Sequence, residues 1–203
     1  MYLFGASGHC KVIIDIIAST QNLTIEGILD DHPKHADIFT IPVYNTKMFQ
    51  SFSDKQIIVS VGDNRTRKRI VNQLAARYLV AIHAKAVVSN HASIGEGTVI
   101  MAGAVVNPDA VIGQHCIINT AAVIEHECKI SNFVHISPNA ALAGDVTVGE
   151  GTHVGIGAVV IEGVNIGKWA TIGAGAVIVD DVPDYAVVVG NLGRIIKYNI
   201  EHE

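Results

Sequence analysis

Aliphatic residues recur at every sixth position between residues 88 and 178. All sixteen positions carry Val, Ile or Leu, with no insertion: Val88, Ile94, Ile100, Val106, Ile112, Ile118, Ile124, Ile130, Ile136, Leu142, Val148, Val154, Val160, Ile166, Ile172 and Ile178. Two residues before each lies Ala, Thr, Cys or Val, and Gly often follows directly, which suits a tight corner. A large and a small apolar residue in such a repeat indicate a narrow prism, in which the large side chain fills the interior and the small one lets the chain turn. A flat β-sandwich does not require a period of six.

The first 80 or so residues follow a different pattern. Apolar runs at residues 2–4, 24–29 and 56–61 predict strands, and residues 11–19 and 64–77 carry apolar residues at helical spacing. This order is typical of a parallel sheet with helical crossovers. We therefore predict two domains, a nucleotide-binding α/β unit at residues 1–83 and a prism with a short tail at residues 84–203.

Composition excludes several classes of protein. Charged residues make up 16%, and the net charge of −5 offers no basic surface for nucleic acid or an anionic membrane. No apolar run reaches the roughly 18–20 residues of a membrane span, and the first residues lack the charged start and apolar stretch of a signal peptide. Three cysteines, Cys10, Cys116 and Cys128, form neither metal spacing nor a disulfide framework. We expect a cytoplasmic protein with reduced thiols.

Three groups of polar residues close the predicted strands of the first domain. The loop of residues 5–9, Gly-Ala-Ser-Gly-His, joins a strand to a helix, so the helix start and Ser7, Gly8 and His9 would face a phosphate. Asp30 and Asp31 could accept hydrogen bonds from sugar or base, although a solvated turn is the alternative. Gly62 and Asn64 close the third strand, and Arg67, one helical turn on, would face a diphosphate unless it lies on a solvated helix face.

Several of these motifs resemble those of bacterial nucleotide-sugar N-acetyltransferases of the PglD/NeuD kind. They are the loop at residues 5–9, Leu29-Asp30-Asp31, Val61-Gly62-Asp63-Asn64, and the stretches at residues 119–128 and 133–137. The resemblance covers nearly the whole chain and keeps the motifs in order. It implies a small α/β Rossmann-like nucleotide-binding unit followed by a left-handed parallel β-helix of hexapeptide repeats, in which three hexads form one triangular coil.

The resemblance also assigns the catalytic pair. His126 lies two residues beyond the inward Ile124, so its ring should project from a corner, where an imidazole can accept a proton from an attacking amine. The family places a carboxylate at Glu127 that orients this ring and raises its basicity. Glu125 also flanks His126 and is the competing partner. An exposed turn histidine without a function is the alternative.

The family match places His135 and Gly144 beside the acetyl-CoA thioester, and Ile156 and Ala174 along the pantetheine arm. Family members often carry Gly at the position of Ala174. His135 and His153 are 18 residues apart and should stack on one face. We expect His153 to be a packed or intersubunit histidine.

The resemblance implies an acetyl-CoA-dependent acyltransferase that acetylates the amino group of a UDP- or GDP-linked 4-amino-4,6-dideoxy sugar for surface glycans. It also implies a homotrimer with active sites between subunits and no metal. The first alternative is O-acetylation of a sugar, as in the sialic-acid branch of these enzymes. The others are a non-catalytic nucleotide-sugar-binding scaffold and a metal enzyme of the carbonic anhydrase type, which would use His115, His135 and His153.

Overall fold

The computed structural model describes residues 1–20 and 23–199. A six-stranded sheet with the order β3-β4-β2-β1-β5-β6 forms the amino-terminal unit. All neighbouring strands run parallel except the antiparallel pair β3 and β4. The strands are β1 (Tyr2–Phe4), β2 (Gly27–Asp30), β3 (Asp37–Ile38), β4 (Ile41–Asn45), β5 (Gln56–Val59) and β6 (Arg77–Tyr78).

Two helices connect these strands: α1 (Gly8–Thr20) and α2 (Asn64–Gln73). A short 3₁₀ helix (Thr46–Met48) follows β4. Asp63 caps α2 by accepting a hydrogen bond from the backbone N–H of Thr66. The sequence predicted α2 through residue 77, but the helix ends at Gln73 because residue 77 joins the sheet as β6. The strands β3, β4 and β6 were not predicted from the sequence, because they are short and carry no periodic pattern.

The second part of the chain is a prism with three faces of stacked two-residue strands. Each strand pairs in parallel with the strand 18 residues further on, as Val99 does with Ile117. Within each strand the second residue points inward, which confirms the sixfold repeat predicted from the sequence. The first strand to pair with the prism is Ala81–Ile82, just before the predicted boundary.

We name the three faces of the prism by what lies on their outer side. The domain face contacts the amino-terminal unit, the valine face carries mostly valine, and the polar face carries mostly polar residues. The domain face comprises Ala81–Ile82, Val99–Ile100, Ile117–Ile118, His135–Ile136, His153–Val154, Thr171–Ile172 and Ala186–Val189, with Arg194–Tyr198 antiparallel to the last. The valine face comprises Val87–Val88, Val105–Val106, Val123–Ile124, Ala141–Leu142, Val159–Val160 and Val177–Ile178. The polar face comprises Ser93–Ile94, Val111–Ile112, Lys129–Ile130, Thr147–Val148 and Asn165–Ile166.

The corners of the prism repeat a left-handed backbone conformation every six residues. Glycine takes it at some corners, as at Gly97 with φ 71°, but Glu127 takes it with φ 63° and Phe133 with φ 60°. This position is three residues after the inward aliphatic residue, two later than the glycines that the sequence singled out. A positive φ costs a residue such as Glu or Phe roughly 1–2 kcal/mol, so these side chains are held where they are by the coil around them.

Apolar contacts attach the amino-terminal unit to the prism. Helix α1 and strand β1 share one buried cluster with Val99 and Ile117, which point outward from the domain face, and with Met101 at its edge. These three prism side chains are almost completely covered. A prism without the amino-terminal unit would expose them, so burial of these side chains stabilises the contact between the two parts.

Arg67 of α2 lies at the centre of this interface and is only 1% exposed. Its guanidinium donates five hydrogen bonds of 2.7–3.0 Å, to the backbone carbonyls of Val61, Gly62, His115 and Phe133 and to Oδ1 of Asn64. Asn64 in turn donates from Nδ2 to the carbonyls of Gly151 and Thr152. Burial lowers the pKa of Arg67 to about 10, so the side chain stays charged at neutral pH. One arginine thus ties α2 to consecutive corners of the prism.

We expect Arg67→Ala to destabilise the protein by about 3–5 kcal/mol, because it leaves buried carbonyls without a donor. Urea unfolding followed by circular dichroism measures the effect. Arg69→Met is the matched control, since Arg69 is an exposed residue of the same helix, and it should change stability by less than about 0.5 kcal/mol. Equal stability of the two variants would contradict the role of Arg67.

Candidate active site

His126 and Glu127 form a pair on the corner between the valine face and the polar face. Nδ1 of His126 lies 3.0 Å from Oε2 of Glu127, and the two side chains are 54% and 63% exposed. Glu127 has a φ of 63°, and its carboxylate faces the preceding ring. With Nδ1–H donating to the carboxylate, Nε2 carries the free lone pair. This arrangement can accept a proton from a bound nucleophile. No hydrogen bond joins Glu125 to the ring among the described residues.

Gly144 lies one coil further along the prism, directly beside His126. A Cβ at residue 144 would lie 2.5 Å from Cε1 of His126, so the ring packs against the bare glycine backbone. The carbonyl of His126 accepts a hydrogen bond from Asp145, which holds the two coils in register. Within the described residues the N–H of Gly144 donates no hydrogen bond. A free amide beside a candidate base can stabilise negative charge on a reacting oxygen.

His135 lies on the domain face and is held as a neutral imidazole. Oδ1 of Asn119 accepts a hydrogen bond from the N–H of Thr120, so its Nδ2 faces Nε2 of His135 at 3.0 Å as the donor. Nε2 therefore accepts, and the ring proton is on Nδ1. Burial, followed by the charges of His153, Arg67 and His9, lowers the pKa of His135 to about 3. This histidine can line a binding site but cannot serve as a proton shuttle near neutrality.

His153 stacks on His135, with ring centroids 4.7 Å apart and planes 7° from parallel. Its Nε2 lies 2.7 Å from Oγ of Ser137, and burial lowers its pKa. The stacking predicted from the 18-residue spacing is confirmed. Both rings border a cavity of about 840 Å³ between the start of α2, the domain face and the strand Arg194–Tyr198, with Trp169 in its wall.

The third histidine of the metal alternative lies elsewhere. His115 packs between Tyr78 and Phe133, stacked on the latter at 5.2 Å. Burial lowers its pKa to about 4. Among residues 1–20 and 23–199, no three His, Cys, Asp or Glu side chains form a group that could hold a metal ion. The cysteines are buried and unpaired, and burial raises the pKa of Cys116 to about 12, so its thiol is inert.

The predicted nucleotide residues divide into two groups. Ser7 and Gly8 are exposed at the start of α1. Asp30 accepts hydrogen bonds from the N–H groups of Ala6 and His32, both at 2.8 Å, so it shapes the loop at residues 5–9. Asp31 is exposed and accepts a hydrogen bond from Oγ1 of Thr46.

The second group lies in the domain interface. Arg67 is not free to bind a diphosphate, because the prism carbonyls engage its guanidinium, and the expectation from sequence is wrong. Asn64 is also buried, and its side chain donates to prism carbonyls. Burial and the charge of Arg67 lower the pKa of His9 to about 4, and its Nε2 is buried without a partner among the described residues. Gly62 uses its carbonyl to accept from Arg67. Helical spacing alone could not distinguish a ligand-facing arginine from one that faces another domain.

The two halves of the predicted acetyl-transfer site lie on opposite borders of the valine face. Ile156 and Ala174 are exposed on its border with the domain face, and His126 and Gly144 lie on its border with the polar face. The two borders are six residues apart along the chain, so the distance between them is at most about 20 Å even if those residues are fully extended. One copy of the chain thus presents both halves without enclosing a site between them.

A parallel α/β unit on a hexapeptide prism, with an exposed His–Glu pair at a prism corner, defines a hexapeptide-repeat acyltransferase. The PglD N-terminal domain family matches residues 1–74, and the bacterial transferase hexapeptide family (six repeats) matches residues 91–126. The chain belongs to the PglD family of hexapeptide-repeat acetyltransferases. This confirms the family and the fold that the sequence motifs indicated.

Two solved structures are similar over nearly the whole chain. The acetyltransferase domain of PglB from Neisseria gonorrhoeae FA1090 has a TM-score of 0.89 at 36% identity and covers 96% of this chain and 98% of that one. A histidine mutant of perosamine N-acetyltransferase from Caulobacter crescentus, in complex with CoA and GDP-perosamine, has a TM-score of 0.89 at 36% identity, covering 97% and 96%.

A curated relative matches over a shorter stretch. UDP-N-acetylbacillosamine N-acetyltransferase of Bacillus subtilis (strain 168) is 42% identical over 108 residues, 49% of this chain. The match spans 50% of that protein, so the chain covers about half the length of this relative. In the described part of the chain, no helix is long and apolar enough to cross a membrane.

We expect Asn119→Asp to make His135 titratable, because a carboxylate accepts from an imidazolium where the amide donates to a neutral ring. The Cε1–H resonance of His135 should stay flat from pH 8 to pH 5 in the wild type, whose pKa is about 3, and should shift in the variant. Asn72→Asp adds the same charge on the exposed side of α2 and should leave the resonance flat. Identical titrations of Asn119→Asp and wild type would contradict this account.

The lowered pKa of His135 also determines the direction in which the stability of the fold changes with pH. The unfolded chain binds a proton here near pH 6.5 and the folded chain only near pH 3, so His135 favours unfolding increasingly as the pH falls below 6.5. The wild type should therefore lose thermal stability between pH 7 and pH 5. Asn119→Asp should lose less over the same interval, which differential scanning fluorimetry in matched buffers measures.

Proposed function

We propose that this protein transfers the acetyl group of acetyl-CoA to the amino group of a UDP- or GDP-linked 4-amino-4,6-dideoxy sugar, for surface glycans. The observation that carries the proposal is the His126–Glu127 pair, 3.0 Å apart on an exposed corner with Nε2 free. Relatives named for a UDP-linked and a GDP-linked aminosugar support the substrate class. A cytoplasmic location stays a prediction.

The reaction needs one proton to move and no covalent enzyme intermediate. The amine nitrogen attacks the thioester carbonyl, a C–N bond forms and the C–S bond breaks. Nε2 of His126 takes the proton from nitrogen, and the thiolate of CoA leaves and receives a proton. Glu127 fixes the tautomer with Nε2 unprotonated and stabilises the imidazolium that forms. The free N–H of Gly144 lies where it could donate to the carbonyl oxygen as that oxygen gains charge.

The binding tasks divide between the two domains in this proposal. Residues 1–83 hold the nucleotide through the loop at residues 5–9 and the Asp30–Asp31 pair. Residues 84–203 hold CoA against His135, Gly144, Ile156 and Ala174. Fixing both substrates between subunits supplies much of the acceleration, because the reacting atoms lose their freedom on binding.

We expect His126→Ala to lower kcat by about 10²–10⁴-fold with little effect on CoA affinity, because proton removal occurs only on the path through the transition state. Glu127→Gln should lower kcat less, since the imidazole stays in place. The assay follows release of the CoA thiol with UDP- and GDP-linked aminosugars, and mass spectrometry of the product distinguishes N- from O-acetylation.

His91→Ala is the matched control for this test. His91 is also an exposed corner histidine of the prism, but it has no carboxylate partner among the described residues. Its replacement should leave kcat within about twofold of wild type. Near-full turnover of His126→Ala would refute the role of His126, and the neutral, hydrogen-bonded His135 could not replace it as the base.

We further propose that three copies assemble through the valine face and close the active sites between them. The outward residues of this face are all apolar: Val87, Val105, Val123, Ala141, Val159 and Val177. At the same strand position the polar face carries Ser, Lys, Thr and Asn besides one Val. A second prism against the valine face would bury this stripe. It would also bring a neighbour's border beside His126, completing the site that one copy leaves open.

We expect Val123→Asp combined with Val159→Asp to yield a folded monomer, because two carboxylates would be buried in the interface. Light scattering should give the chain mass of 21.5 kDa for this variant and three times that mass for wild type. Val111→Asp is the control, because Val111 is 50% exposed at the equivalent position of the polar face, and it should stay trimeric. A wild type of 21.5 kDa would disprove the trimer.

A further inference from the structure

The diphosphate of a nucleotide sugar carries negative charge, and the burial of Arg67 removes the cation that the sequence offered for it. Another cation faces the loop at residues 5–9. Lys11, in the first turns of α1, borders a cavity of about 440 Å³ together with Ser7 and Gly8. Its ammonium forms no salt bridge within residues 1–20 and 23–199. It is therefore available to a ligand.

The space over the start of α1 is empty. Apart from its chain neighbours and the backbone of its own helix, no atom of the described residues lies within 4 Å of a Cβ placed on Gly8, so packing against the rest of the chain does not require a glycine there. A ligand can approach this backbone closely, and the first turn of α1 carries no acidic side chain that would repel a phosphate. This end of the cavity suits an anion held by Lys11 and backbone N–H groups.

The opposite wall comes from the turn between β3 and β4. Phe39 and Thr40 form this two-residue turn with φ 51° and 68°, a conformation that neither a phenylalanine nor a β-branched residue favours. The turn leaves the Phe39 ring 59% exposed. The ring borders the cavity, and Nζ of Lys11 lies 6.0 Å from its centroid. A strained turn that presents an aromatic ring to solvent beside a cation favours a binding role over a packing role.

We propose that Lys11 and Phe39 bind the nucleoside diphosphate part of the substrate, with Lys11 on the diphosphate and Phe39 stacked on the base. The inference rests on the proposed function for its choice of ligand. Asp37 lies on the wall next to Phe39 and can accept a hydrogen bond from a base N–H, while His35 completes the rim. The cavity thus has a cation at the helix, which suits the diphosphate. At the turn it has an aromatic ring and one hydrogen-bond acceptor, which suit the base.

Isothermal titration of the full-length protein with UDP, GDP and inorganic pyrophosphate tests the two roles separately. We expect Lys11→Met to weaken all three by about tenfold, because each carries the diphosphate. Phe39→Gly should weaken UDP or GDP by about tenfold and leave pyrophosphate unchanged, because stacking requires a base. Glycine adopts the positive φ of this turn freely, so Phe39→Gly should keep its melting temperature.

The matched controls are Lys34→Met and Met48→Ala. Both residues are exposed on the same domain and neither borders the cavity. Affinities for all three ligands should stay within twofold of wild type in both controls. In acetyl transfer, Lys11→Met and Phe39→Gly should raise KM for the nucleotide sugar and leave kcat unchanged, because neither residue lies at the corner of His126.

The inference is overturned if Lys11→Met and Phe39→Gly bind UDP and GDP as tightly as wild type, or if wild type binds neither. Failure of the proposed function gives a different result. In that case UDP or GDP binds in a Lys11- and Phe39-dependent way, but no aminosugar is acetylated.

Discussion

The buried guanidinium of Arg67 determines how the two domains are arranged. Its hydrogen bonds reach the backbone of α2's own loop, Asn64 and two corners of the prism, and among the described residues no carboxylate accepts a hydrogen bond from it. A buried charge satisfied only by carbonyl dipoles tolerates little displacement, because each lost hydrogen bond leaves a desolvated group. The cavity at the start of α1 and the prism corners are therefore fixed relative to each other. In the proposed reaction, this rigid junction would keep the two domains' binding residues in a constant relative position.

This rigidity explains how chemistry is distributed over the prism. Histidines that face the amino-terminal unit are desolvated and kept neutral, as His135 shows with a pKa of about 3. The histidine suited to proton transfer lies instead on an exposed corner beside a carboxylate. A base needs access to a second substrate, and on one copy the side chains of His126 and Glu127 are more than half exposed to solvent. In the trimer that we propose, a neighbouring prism would supply the missing wall, so the apolar valine face matters as much as the proposed catalytic pair of His126 and Glu127.

Sequence analysis predicted the prism in detail and the contacts between domains poorly. A repeat of six with no insertion allows only one register, so the inward residues and the stacked histidines followed from counting. The contact between His126 and Glu127 could be predicted because the two residues are adjacent in the sequence and belong to a family motif. Arg67 and Asn64 were misplaced because their partners lie 48 to 88 positions away and are backbone atoms, which leave no mark in a sequence. Phe39 was missed because a strained turn resembles any short loop until its φ angles are known.

The partners of Arg67 and Asn64 on the prism are all main-chain carbonyls, those of His115, Phe133, Gly151 and Thr152. A prism of different sequence but the same coil geometry would present these oxygens at the same places. The junction therefore depends little on the side chains of the prism at these points. An amino-terminal unit that keeps Arg67 and Asn64, and whose apolar contacts are matched, could pack against another hexapeptide prism. Nucleotide choice and acyl-donor choice can then diverge separately, and recombination at the junction offers a direct route to new pairings of the two.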